Sequence, residues 1–155
     1  MLMRAKGKLE TYLPEISGLI ALISFIWWDV SPQWIPNLGN LLAAIINIGA
    51  ITVGFLITVV TLLIAIKEHP KLIFLSELKY APGVSFLVKL IGYIKHAIGY
   101  GFLLSVLATI GLVFDSEVIL FKYYFIFIGG TGVIFVTSLW RILKILSMLL
   151  SEVIK

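Results

Sequence analysis

The feature that most restricts this chain is a run of 37 consecutive residues, Val30 to Ile66, in which no side chain is charged. An α-helix needs about 20 predominantly apolar residues to cross the hydrocarbon core of a bilayer, so this run can supply a complete span. Hydrophobic residues make up 61% of the 155-residue chain and charged residues only 13%. Soluble domains are about 45–50% apolar and about 25% charged. The sequence therefore predicts an integral membrane protein and excludes a soluble or disordered chain.

Charged residues and prolines divide the chain into four apolar segments, which predict an all-α membrane domain of four helices packed as a bundle. The predicted spans are 13–34, 38–66, 86–114 and 119–140. Segment 67–85 is expected to connect the second and third spans through a short helix, 70–80, and a turn, 81–83. Residues 141–155 are expected to extend the fourth span as an amphipathic helix, because polar residues recur there every three or four positions.

The basic residues favour one orientation of these spans. Eleven of the twelve fall in segments that would share one side of the membrane, namely Arg4, Lys6, Lys8, Lys67, Lys71, Lys79, Lys89, Lys95, Arg141, Lys144 and Lys155. Only Lys122 falls on the other side. Because basic residues are enriched in cytosolic segments, we expect both termini and the connector to be cytosolic.

Small and polar residues form a stripe along the second segment. Asn40, Asn47, Gly54 and Thr61 are spaced by seven, and Thr58 falls on the same face. Such residues mark places where transmembrane helices meet, so one interpretation is a tight helix–helix seam. The other interpretation is the water-contacting wall of a pore in an oligomer. In either case Leu56 is expected to face lipid.

The third segment carries two further sets of candidate residues. Lys89, Gly92, Lys95, His96 and Gly99 lie toward its cytosolic end and are interpreted as a pore mouth or a contact for a ligand or partner. The alternative is that the basic residues only set topology and that His96 is solvated. Deeper in the membrane, helix packing is expected at a small-residue set completed by the fourth segment: Gly101, Ser105, Ala108 and Gly130.

No motif in the sequence indicates an enzyme. The chain has no cysteine and only two histidines, His69 and His96, which lack the spacing of a metal site. Its acidic residues are interpreted as lying at segment ends or in loops, whereas proton relays and coupled transporters need ionisable groups within the membrane. We therefore expect no catalysis, no metal and no cofactor, and coupled transport is disfavoured.

A region around the second and third segments has a recognisable pattern. The run NIGAITVGFLITVVTLLIAI is followed by KEHPKL and then, after the connector, by FLVKLIGYIKHAIGYGFLLSVLATIGLVF. In topology and hydropathy this region, from Asn37 to Phe114, resembles small four-span bacterial inner-membrane effectors of phage-exclusion and abortive-infection systems. The resemblance implies an inner-membrane protein that oligomerises, responds to a soluble cytosolic sensor and depolarises or permeabilises the membrane. It carries over no functional residues.

The sequence favours one function and leaves two alternatives. The favoured function is a homo-oligomeric effector that forms an ion-permeable pore in anti-phage defence, with a cytosolic sensor protein or an acidic or nucleotide-like ligand at its basic face. The second is a non-conducting anchor or scaffold for a soluble partner. The third is a small solute transporter.

Overall fold

The computed structural model describes residues 2–65, 79–81, 84–113 and 119–153, most of which form four α-helices. The helices are α1 Leu2–Trp27, α2 Leu38–Ala65, α3 Phe86–Gly111 and α4 Ile119–Val153. The predicted all-helical fold is confirmed, apart from one small hairpin before α3. By length and composition α2, α3 and α4 can each cross a membrane, and α1 contains a shorter apolar helix, Tyr12–Trp27. These helices indicate a membrane protein.

The first helix ends earlier than the sequence predicts. The backbone N–H of Val30 donates to the carbonyl of Phe25 at 3.1 Å, and that of Asp29 donates to Ile26 at 3.2 Å. Asp29 has a left-handed φ of 51°, so the helix closes with a Schellman motif. The prediction that the helix continues to Trp34 is therefore wrong, and Pro32–Trp34 form a separate 3₁₀ turn.

The connector between α2 and α3 contains a hairpin where a helix was expected. Strand β1, Lys79–Ala81, pairs antiparallel with β2, Val84–Ser85. The predicted helix 70–80 is therefore wrong at residues 79–80, which are extended, while the antiparallel strands lie on either side of the turn expected at 81–83. The rest of the predicted helix, with residues 66–78 and 82–83, lies outside the described residues.

The end of the third helix also differs from the predicted segment, whereas the fourth helix extends as expected. Helix α3 stops at Gly111, and Leu112 and Val113 form a turn in which the Leu112 N–H donates to the Ala108 carbonyl at 3.2 Å. Helix α4 is continuous from Ile119 to Val153, so the predicted helical extension of the fourth span is confirmed through Val153. Its 35 residues span about 52 Å, so α4 exceeds the thickness of a hydrocarbon core of about 30 Å.

The four helices form an open row in the order α1–α4–α3–α2. Each helix packs antiparallel on its neighbour in the row, and among the described residues α1 and α2 do not pack extensively against each other. An apolar groove of about 410 Å³ separates them, with Phe25 on the α1 side, Ile45 on the α2 side and Gly129 of α4 among its lining residues. Within one chain the four helices that were expected to form a bundle are therefore arranged as an open row.

Two apolar cores join α2, α3 and α4. The first contains Leu42, Leu104, Ala108, Phe121, Ile128 and Phe135, and the second contains Leu56, Leu90, Ile94, Ala97, Ile142 and Ile145. Leu56 is only 4% exposed, so the expectation that it faces lipid is wrong. Its neighbour on the same side of α2 is Gly49, where a Cβ would collide with the hydroxyl of Ser105 on α3. The lack of that Cβ lets the two helices approach closely.

Candidate functional site

The polar stripe of α2 lies on the side that faces away from the rest of the chain. Its predicted members are all exposed: Asn40, Asn47, Gly54, Thr58 and Thr61. A Cβ added at Gly54 would meet nothing within 4 Å. The seam between α2 and α3 within one chain is therefore a different face of α2, and the stripe remains available to another molecule.

Hydroxyls and amides on this outer face differ in how they are satisfied. Thr58 Oγ1 donates to the Gly54 carbonyl at 3.0 Å, and Thr61 Oγ1 donates to the Ile57 carbonyl at 2.9 Å. Within the described part of the chain, the side-chain amides of Asn40 and Asn47 have no hydrogen-bond partner. An unpaired amide in hydrocarbon costs about 1–3 kcal/mol by protein mutational data, so these two amides are the groups that need a further partner.

The predicted mouth residues of α3 separate into two groups. Lys89, Gly92 and His96 line a cavity between helices, although His96 is itself exposed, whereas Lys95 and Gly99 are exposed and lie outside the cavity. A Cβ at Gly92 or Gly99 would meet nothing within 4 Å, so neither glycine serves close packing within one chain. The five residues therefore do not form a single site in one protomer.

The cavity lies at the junction of α1, α3 and α4 and is called the junction pocket below. It has a volume of about 190 Å³. Its lining residues are Pro14, Lys89, Gly92, Tyr93, His96, Ser138 and Arg141. The Arg141 guanidinium carbon lies 4.1 Å from the centroid of the Tyr93 ring, and Lys89 Nζ lies 5.6 Å from the same centroid. The pocket therefore brings together cations from two helices around one aromatic ring.

A cluster of ionisable and polar groups adjoins the junction pocket. The hydroxyl of Tyr100 donates to Glu15 Oε1 at 3.2 Å, and His96 Nδ1 lies 3.9 Å from the same oxygen. Close by on α1 and α4, the hydroxyls of Ser17 and Thr137 are 3.1 Å apart. This polar cluster thus links all three helices of the junction.

Glu15 lies near the start of the apolar helix Tyr12–Trp27, at the segment end where the sequence analysis expected it, but there it contacts Tyr100, which is near the middle of α3. The sequence analysis missed Glu15 and Tyr100 as site residues, and it also missed Tyr93. A signal for Tyr93 was available, because it follows Lys89 by four residues and such pairs share a helix face.

The four residues expected to pack helices lie where helices approach closely. A Cβ at Gly101 would lie 2.7 Å from Phe135 Cε2 and equally close to Val53 Cγ2. A Cβ at Gly130 would lie 2.5 Å from Leu22 Cγ on α1. Ser105 Oγ donates to the Gly101 carbonyl at 3.0 Å, and Ala108 is fully buried.

Sequence and structure comparisons leave the site to be interpreted from its own chemistry. No family model matches the chain, and no curated protein or solved structure is significantly similar to it. Among the described residues, no group of three His, Asp or Glu side chains is arranged to hold a metal ion. The candidate sites are therefore the outer face of α2, the junction pocket and the polar cluster.

Proposed function

We propose that this protein is a homo-oligomeric, non-enzymatic membrane protein in which the outer face of α2 lines or flanks an ion-permeable pore. The observation that carries the proposal is the pair of exposed, unpartnered amides of Asn40 and Asn47 on an otherwise apolar helix. In lipid these amides are satisfied only by another protein surface or by water. An oligomer that gathers several α2 helices supplies both.

The position of α2 in the row supports a second copy as the partner. Only 11% of the most apolar stretch of α2 is buried within the chain, whereas 39% of the corresponding stretch of α4 is buried. Because α2 is at one edge of the row and packs mainly on α3, its opposite side is left open. Exposed small residues such as Gly54 allow the close approach that oligomerising membrane helices use.

The topology that accompanies this proposal has four spans, with both termini and the connector in the cytosol. Basic residues are divided eleven to one between the two sides. The apolar helix Tyr12–Trp27 has about 24 Å of length, and the preceding turns of α1 extend it to bilayer thickness. The proposed location is the inner membrane of a bacterium.

Reporter fusions test the topology. We expect a reporter fused after Lys155 to be active in the cytosol and one inserted at Glu117 to be active on the other side, because basic residues resist translocation. An N-terminal fusion on the same side as the Lys155 fusion distinguishes four spans from three. If the two terminal fusions report opposite sides, α1 does not span the membrane.

Ion permeability tests the pore itself. We expect purified protein in lipid vesicles to dissipate an imposed membrane potential. The double variant Asn40→Leu, Asn47→Leu should dissipate it at least about tenfold more slowly. Apolar pore walls interact unfavourably with water and ions, which raises the barrier to permeation. Ile48→Leu is the matched control, since Ile48 is exposed on the same helix and already apolar. Vesicles that stay tight with the wild-type protein would favour the scaffold alternative.

The biological setting is part of the proposal and rests on the hydropathy pattern that resembles phage-exclusion effectors. In that setting a soluble sensor or an acidic or nucleotide-like ligand acts on the basic end of the helices, and the pore depolarises the infected cell. Membrane potential measured after phage challenge, with and without expression of the protein, tests it. Unchanged potential and unchanged phage yield would remove the defence role while leaving the pore open to test.

A second candidate function, transport of a small solute coupled to protons, is favoured by one specific observation. Glu15 accepts a hydrogen bond from Tyr100 and lies 3.9 Å from His96, so ionisable groups of α1 and α3 meet between helices, as they do in the proton relays of coupled transporters. The sequence disfavoured transport because it showed no such group of residues. The two candidates depend on different residues, so variants of α2 and of Glu15 separate them.

A further inference from the structure

The junction pocket holds cationic groups in a confined space. Lys89 and Arg141 reach it from α3 and α4, and both lie against the ring of Tyr93. Glu15 is the acidic residue that the described part of the chain places next to the pocket, where it faces His96 and Tyr100. The two basic groups thus enter one confined space from two helices, and an anion bound there would interact favourably with both.

The pocket lies at a defined depth along the helices. Arg141 follows Phe121, where the apolar segment of α4 begins, by about 20 residues or about 30 Å of helix. Lys89 precedes Gly111, the end of the antiparallel helix α3, by a similar distance. Since the hydrocarbon core is about 30 Å thick, both cations fall in the headgroup layer of one leaflet when the other ends of these helices are at the opposite leaflet.

The surface around the pocket suits a lipid. Val88 and Trp140 adjoin Lys89 and Arg141 in sequence, and both are exposed. An exposed indole is typical of the membrane interface, and apolar side chains beside a cationic pocket can contact acyl chains while the cations contact a phosphate. A free phosphate would make use of the cations alone.

We infer that the junction pocket binds the phosphate group of an anionic phospholipid in the leaflet at this end of the helices. The guanidinium of Arg141 offers two parallel N–H donors to phosphate oxygens, and Lys89 adds a point charge with three donors. Tyr93 positions both. This inference goes beyond the proposed pore and does not depend on oligomerisation, because all of the pocket residues come from one chain.

Native mass spectrometry of the full-length protein in detergent tests the inference. We expect the wild-type protein to retain one phosphatidylglycerol in preference to phosphatidylcholine. Either Lys89→Gln or Arg141→Gln should weaken that binding about tenfold, which is the loss expected for one hydrogen bond to a charged group. Lys95→Gln and Lys144→Gln are matched controls, because each removes a charge from the same helices at an exposed position. Both controls should bind as the wild type does.

Two further arms identify the ligand and the role of each residue. Inorganic phosphate in excess should not displace phosphatidylglycerol; if it does, with the same dependence on Lys89 and Arg141, the site takes free phosphate and the lipid assignment is wrong. Arg141→Lys keeps the charge and should bind at an intermediate level, even if Arg141→Gln loosens the fold. Equal losses in the pocket variants and the controls, or no preference between the two lipids, would also overturn the inference.

Discussion

Leucine in place of Gly101 is expected to destabilise the folded chain by at least about 2 kcal/mol, because it overpacks the contact of three helices. Its Cβ alone would lie 2.7 Å from Phe135 Cε2 on α4 and from Val53 Cγ2 on α2. Neither neighbour moves easily, since one is an aromatic ring and the other a β-branched side chain. The midpoint of thermal unfolding in detergent, followed by circular dichroism, measures the effect.

Gly54→Leu is the matched variant on the outer face of α2, and we expect the opposite pattern from it. A Cβ there meets nothing within 4 Å, so the single chain should unfold at the wild-type temperature or slightly above it, because leucine favours helix over glycine. The added bulk should instead prevent close approach of a second α2, so that cross-linked oligomers are lost. Normal cross-linking of Gly54→Leu would show that this face is not an interface between copies.

The pair of glycines illustrates what the sequence of α2 reveals and what it conceals. Its length and helical character follow from the uncharged run Val30–Ile66, within which the structure describes a helix over Leu38–Ala65. The spacing of small residues predicts that some face of α2 packs closely. It cannot select between the face of Gly54 and that of Gly49, because both carry a glycine among apolar residues and only the position of α3 decides between them.

The sequence also did not show where the first helix ends. Indole rings at Trp27, Trp28 and Trp34 mark one interface but do not show where the helix stops. The backbone stops it at Trp27, because Asp29 adopts a left-handed φ and closes the Schellman motif. The apolar part of α1 is Tyr12–Trp27, and near its start Glu15 contacts His96 and Tyr100 of α3. The sequence of the first segment does not show these contacts, because they depend on how α1 packs beside α3 and α4.

The junction pocket could be anticipated only in part. Lys89 and His96 were recognised from their place toward the cytosolic end of the third segment, but Arg141 lies on α4 and was considered only among the basic residues that set the orientation. Their convergence depends on the antiparallel pairing of α3 with α4, which sets Tyr93 opposite Arg141. The spacing of residues within one segment cannot predict how α3 is aligned against α4, because that alignment arises from contacts between residues far apart in sequence.

Glutamine in place of Glu15 is expected to separate the two candidate functions. The amide oxygen can still accept the hydrogen bond of Tyr100, while the negative charge beside His96 is lost. Glu15 Oε2 is buried without a hydrogen-bond partner among the described residues, so a neutral group costs less there, and we expect stability to rise by about 1 kcal/mol. Thermal unfolding in detergent measures this gain.

The functional result depends on which candidate is correct, because α2 and Glu15 lie on different parts of the row. For an α2-lined pore, Glu15→Gln should conduct as the wild type does, whereas Asn40→Leu, Asn47→Leu should not. For proton-coupled transport, Glu15→Gln should abolish solute uptake driven by a proton gradient. Asp29→Asn is the control. It removes a carboxylate just after the end of α1, at an exposed position where Asp29 is paired with Lys122. If Asp29→Asn also loses both ion conduction and solute uptake, neither loss is specific to the polar cluster. The charge at Glu15 would then act only through the packing of α1 on α4.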